Sequence, residues 1–158
     1  MATPASIQKH PLHPMLIPFP IALWIFSFAG DVIHMTGLGG MVWKDIALYT
    51  MIGGLFGALA AAIPGYIDYR SIADPAVKRI GFWHMLTNLS IVALFSLNIV
   101  LRIIWEAATV PIILSLIGMT LLGLSGWLGG ELVYVHGVAV EPQEGARAKK
   151  KDRNRVAS

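Results

Sequence analysis

The chain contains no cysteine, so disulfides, thiolate metal sites and iron–sulfur ligation are all excluded. Charge is nearly as scarce. Only 13% of the 158 residues are charged, against about a quarter in a typical soluble domain. There is no phosphate-binding glycine loop, no HExxH zinc helix and no serine nucleophile motif. Nothing therefore points to an enzyme. No two histidines lie about fourteen residues, or ~21 Å, apart on one apolar run. That spacing would stack two haems across a membrane, so its absence argues against a two-haem cytochrome b. The net charge of +3 is modest, and no nucleic-acid partner is expected.

What the chain has is apolar length. Hydrophobic residues make up 56% of it, and the mean hydropathy is +0.67. A bilayer core of ~30 Å needs about 20 apolar residues in a helix. Four segments qualify, at about 15–34, 45–65, 80–105 and 111–134. Pro18 and Pro20 suit the first turn of the first segment. The apolar run is too long for a signal-peptide core and no small-residue cleavage pattern ends it. The links are short: Thr36–Lys44 with Gly37, Gly39 and Gly40, Tyr66–Arg79 with Asp74-Pro75 as a turn signal, and Glu106–Val110. No convincing internal repeat is visible. The expected fold is all-α, an integral membrane four-helix bundle running up-down-up-down over residues 15–136. An extended His/Pro-rich entry segment (1–14) precedes it, and a basic, disordered tail (137–158) follows.

Ten of the twelve bases fall on one side of this arrangement: Lys9, Arg70, Lys78, Arg79 and six between Arg147 and Arg155. Lys44 and Arg102 are on the other. The positive-inside rule then places both termini of a multi-pass membrane protein in the cytoplasm. His10, His13, His84 and His136 gather at the cytoplasmic face, with Asp68, Arg70, Asn88 and Glu131 at similar depth. His34 lies at the far side near Asp31.

Three motifs could carry chemistry. In His10-Pro11-Leu12-His13-Pro14 the prolines favour an extended path of about three residues per turn. Such a path would present both imidazoles on one side; the plainer reading is a membrane-entry segment. His84 and Asn88 lie one helical turn apart at lipid depth, where a histidine is costly unless it is paired or ligating. The plainer reading is an interhelical hydrogen bond, or one to Asn88 itself. In Gly126–Val138 the glycines beside Glu131 would let a helix or a flat cofactor approach; the plainer reading pairs Glu131 with Arg70 or a histidine. His84, Asn88, Asn98 and Arg102 form a polar stripe that should face the interior, and Arg102 could pair with Asp31. Gly53, Gly57, Ala61 and Gly65 make a small-residue ridge, for packing within the chain or for a homo-oligomer.

The segments His10–Pro20, His84 with Asn88, and Gly126–Val140 resemble a family of small bacterial membrane proteins, the domain of unknown function numbered twenty-two thirty-one. The resemblance covers residues 10–140 and implies four spans. The family often carries a histidine where this chain has Pro18. Some relatives are fused to Rieske-type domains, which implies a redox setting and a redox partner protein.

Three functions follow as expectations. In the first, the protein binds a transition metal or one b-type haem through His13, His84 and His136, with His10 as alternate and Glu131 close by. In the second, it is a structural or accessory subunit whose tail bases at 147–155 meet anionic lipid or a partner, at ~1 kcal/mol per base. In the third, His84, Asp68 and Glu131 relay protons or a small solute; the lack of broken-helix repeats counts against this. The topology itself is testable. A reporter fused after Ser158 should be active in the form that works in the cytoplasm, and activity only outside it would reverse the assignment.

Overall fold

The computed structural model describes residues 3–105 and 109–140. The order is β1 (Ser6–Ile7), β2 (His10–Pro11), α1 (Leu12–Leu16), α2 (Pro18–Met35), α3 (Val42–Ser71), α4 (Pro75–Ile104), α5 (Thr109–Gly130) and a wide helical turn over Glu131–Val135. Four helical stretches among the described residues are long and apolar enough to cross a membrane: Leu12–Met35, Val42–Ser71, Pro75–Ile104 and Thr109–Val135. Their outward faces carry Phe19, Phe56, Ile63, Leu97, Leu116 and Trp127, all well exposed. A soluble protein does not leave so much contiguous apolar surface in water. A bilayer accounts for it.

The helices begin and end where local chemistry dictates. Pro18 occupies the first position of α2, where its missing N–H costs nothing. Asp74 caps α4: its Oδ1 accepts from the N–H groups of Ala76 at 2.8 Å and Val77 at 3.3 Å, and Pro75 follows at the first helical position. From the sequence alone, 66–79 is expected to be a link and the third span to begin near 80. The helices instead run on to Ser71 and restart at Pro75, leaving only Ile72–Asp74 between them. The cap makes this short turn sufficient. At the opposite end Gly37, Gly39 and Gly40 all have left-handed backbone, with φ of 76°, 74° and 67°. That conformation suits glycine and lets six residues reverse the chain.

The entry segment differs from the extended path expected for 1–14. Ser6–Ile7 and His10–Pro11 form a minute antiparallel hairpin, and Gln8 and Lys9 at its tip both have positive φ, as a type I′ turn requires. Leu12–Leu16 is then helical, with Pro14 tolerated because it falls in the first turn. His10 and His13 therefore belong to different elements and do not share a side. The hairpin is tied down by Asp68, a buried carboxylate on α3 that accepts from the Ala5 N–H at 3.4 Å. At the other terminus the chain folds back, Val138 N–H donating to the Leu132 carbonyl at 2.9 Å. The tail expected to be disordered lies, from 141 on, outside the described residues, as do 106–108 of the last link.

α2 packs mainly on α3 and α4 mainly on α5, so the bundle is two helix hairpins meeting along a seam. Three layers join them. In the middle, Trp24 of α2 stacks on Phe95 of α4, with centroids 4.4 Å apart and planes 15° apart. Met51, Ile91 and Ile99 complete this core. At the glycine-turn end, Arg102 makes two bonds to Asp31, of 2.7 and 2.5 Å. Arg102 Nε donates to Asn98 Oδ1, and Asn98 Nδ2 donates to the Pro111 carbonyl and to Ser115 Oγ. At the N-terminal end, His13 faces His84.

Breaking a buried ion pair by removing one partner costs about 3–5 kcal/mol. Asp31→Arg or Arg102→Asp alone should therefore abolish a cooperative thermal transition in detergent. Both changes together should restore it in large part. Lack of any recovery in the double variant would show that the pair does not hold the seam.

Candidate functional site: a histidine pair across the seam

His13 enters the bundle from α1, and its Nδ1 lies 2.8 Å from the Ala61 carbonyl of α3. His84 is on α4, and its Nδ1 lies 3.0 Å from the Ser125 carbonyl of α5. A carbonyl only accepts, so in each ring Nδ1 carries a hydrogen. The Asn88 amide, one turn along α4, donates to the Nε2 of His84 at 3.2 Å and to its carbonyl at 2.8 Å. The two rings stand 6.3 Å apart between centroids with planes at 89°. Both are half-buried.

Two glycines make room for these rings. A Cβ on Gly65 would lie 2.6 Å from His13 Nδ1. One on Gly129 would lie 3.1 Å from His84 Cε1. Further along α3, a Cβ on Gly53 or Gly57 would lie 3.3 Å from Leu23 or 3.1 Å from Pro20 of the same chain. The ridge Gly53–Gly65 is thus spent on packing within the monomer. Gly129 does not admit an outside partner either, because His84 fills its notch. Gly126 has nothing within 4 Å.

The other residues read as ligands lie elsewhere. His10 is exposed, and its Nδ1 donates to the Gln8 carbonyl within its own turn at 2.9 Å. His136 closes the wide turn, with its Nε2 3.8 Å from Glu131 Oε1. Glu131 thus finds a histidine and not Arg70, which lies within 3.4 Å of the Tyr66 hydroxyl instead. His136 borders a separate cavity of about 260 Å³, together with Thr3, Ser71, Ile72, Asp74 and Val135; neither His13 nor His84 lines it. Asp68 holds the entry hairpin. His34, at the opposite end, lies 3.3 Å from the Gly40 carbonyl. No group of three or more His, Asp or Glu among the described residues is placed to hold a metal ion. The four-histidine cluster expected from the sequence reduces to one pair. The signal that could have singled it out is the glycine opposite each ring.

Four apolar spans with an interior held by polar pairs define a small multi-pass membrane protein. The chain belongs to the family described as "Predicted membrane protein (DUF2231)", whose pattern it matches over residues 9–142. No curated protein and no solved structure matches it.

The notches yield a prediction. Gly65→Ala should push His13 off the Ala61 carbonyl and destabilise the bundle by roughly 1–3 kcal/mol, the cost of an unmade buried hydrogen bond. Gly126→Ala should stay within about 0.5 kcal/mol of the parent. Denaturation in detergent compares the two, and equal effects would mean that the Gly65 notch is not structural.

Proposed function

We propose that this is a redox-associated protein of the bacterial inner membrane in which His13 and His84 would hold the iron of one b-type haem at the cytoplasmic face. The observation that carries this reading is the facing imidazole pair, one ring from each hairpin. A ligating histidine commonly gives its other ring N–H to a backbone carbonyl, which fixes its tautomer and orientation. Both rings do so, at Ala61 and Ser125. Metal–imidazole bonds run about 2 Å, so two rings on opposite sides of one metal stand about 6 Å apart, close to the 6.3 Å between these. A bound haem would supply one-electron chemistry. His13 and His84 would hold its iron, Gly65 and Gly129 would leave space for the rings, and the Asn88 amide would have to release His84 Nε2. A non-haem metal needing three or four ligands is less well served, since His10, His136 and Glu131 lie apart from the pair.

The Asn88 bond favours a second reading. A histidine satisfied at both nitrogens is also a good structural latch. In that case the protein is an accessory membrane subunit. Its bases at 147–155 would meet anionic headgroups or a partner protein.

The two readings separate on one preparation. Protein purified in detergent from cells with ample haem should show a Soret band and sharpened bands on dithionite reduction, with one iron per chain. His13→Ala and His84→Ala should each abolish the spectrum while the far-ultraviolet helix signal persists. A colourless, metal-free parent protein whose His84→Ala variant merely loses stability would establish the latch.

A further inference from the structure

The pairs that meet across the seam are evenly related in sequence. His13 faces His84, Trp24 stacks on Phe95 and Asp31 binds Arg102. Each partner follows the other by 71 residues. Leu23 and Leu94, and Ala22 and Ala93, repeat at the same interval. The second helix of each hairpin repeats as well, at an interval of 64. Gly54 takes the Trp24 ring and Gly118 takes the Phe95 ring, with hypothetical Cβ contacts of 2.6 and 2.7 Å. Gly65 and Gly129 take the two histidines. The carbonyls of Ala61 and Ser125 receive His13 and His84. Those of Ala47 and Pro111 receive Ser27 and Asn98, themselves 71 apart. Buried positions follow suit: Ala47 and Pro111, Met51 and Ser115, Gly54 and Gly118, Ala61 and Ser125, Asp68 and Leu132.

We infer that the chain is one helix hairpin used twice, packed about a two-fold axis along the membrane normal, and that His13 and His84 are the same ligand-bearing position in the two copies. Equivalent residues touch each other only where they lie on a two-fold axis. Here they touch at both ends and at mid-height, over 18 residues or about 27 Å of helix. The axis is parallel to the helices, because α2 and α4 both start at the histidine end. An axis in the membrane plane would have set His13 beside Arg102. Some transporters carry parallel repeats of this kind about an axis along the membrane normal. The expectation of no internal repeat is thereby corrected. The interval shortens from 71 for the first helix of each unit to 64 for the second, since the second hairpin is shorter both in its link and at the helix ends beside it, and a repeat sought at one fixed period does not register.

The placement says what the histidine position takes. A group on the axis is met by two matching imidazoles from opposite sides, one per copy. That suits a transition-metal centre held by two imidazoles, such as a haem iron. This assignment of the ligand rests on the haem reading above; the duplication does not.

The experiment has two arms. The chain lacks cysteine, so pairs of engineered cysteines in the full chain can be spin-labelled directly. A two-fold axis makes the 19–123 distance equal to the 90–59 distance, and the 26–127 distance equal to the 97–63 distance. All eight positions face outward. Coincident distance distributions within both sets are expected, and separate ones would overturn the duplication. In the second arm His13→Met and His84→Met are compared by redox titration of the haem, since methionine in place of histidine raises the potential. Equal upward shifts are expected. A shift in only one variant would overturn the equivalence of the two ligands. Absence of haem and metal from the parent protein would remove the ligand assignment alone, with the label distances still deciding the duplication.

Discussion

The buried pair of Asp31 and Arg102 constrains everything else in this bundle. Lipid gives helices no hydrophobic reason to associate, and the two hairpins share mostly apolar faces that lipid would solvate equally well. A full charge in each hairpin changes that balance. Neither Asp31 nor Arg102 can face acyl chains without a large penalty, and their side chains are only 6% and 9% exposed. Docking the hairpins is how both are neutralised. Arg102 is held in a defined pose by Asn98, which in turn holds Ser115 and the Pro111 carbonyl. The charge pair thereby reaches all of α2, α4 and α5 through a chain of directed bonds. Helix pairs joined by directed bonds cannot slide, so the register fixed here is inherited by Trp24 and Phe95 and then by His13 and His84.

The histidine layer uses a different device. Each ring is held within its own hairpin, to Ala61 or to Ser125, and presented to the other. These bonds fix the direction in which each ring turns Nε2 toward the seam. Such preorganisation is what a ligand site needs and what a simple interhelical bond does not. A latch would be better served by one histidine donating across the seam to a carbonyl of the opposite hairpin. Here neither histidine does so; each bonds a carbonyl of its own hairpin.

The four spans, their order and the interior charge pair were legible in the sequence for simple reasons. Apolar length has one explanation at this composition, and two lone charges inside apolar runs must neutralise each other. The histidine cluster was only half legible. Topology brings four histidines to one end of the bundle, but it says nothing of lateral position. His10 and His136 were lost to local geometry that no periodicity reports, a two-residue turn at Gln8–Lys9 and a wide turn at Glu131–Val135. The helix entry at Leu12 was hidden by Pro11 and Pro14, which read as breakers although a proline in a first turn breaks nothing. The duplication was hidden by its change of interval.

Where the two halves differ is as informative as where they agree. Position 68 is a buried aspartate in the first half and its counterpart, position 132, is a buried leucine in the second. The aspartate has a local task, since it anchors the entry hairpin at Ala5, and the second half has no entry hairpin to anchor. Asn88 likewise answers to Ile17 in the first half. Ile17 joins α1 to α2 in helical backbone, and its N–H donates to the His13 carbonyl one turn behind at 3.1 Å. The spacing is therefore the same in both halves; the apolar Ile17 side chain offers no amide to His13, while Asn88 supplies one to His84. The two histidines are equivalent in position and unequal in their bonding, because only His84 has an amide on its Nε2.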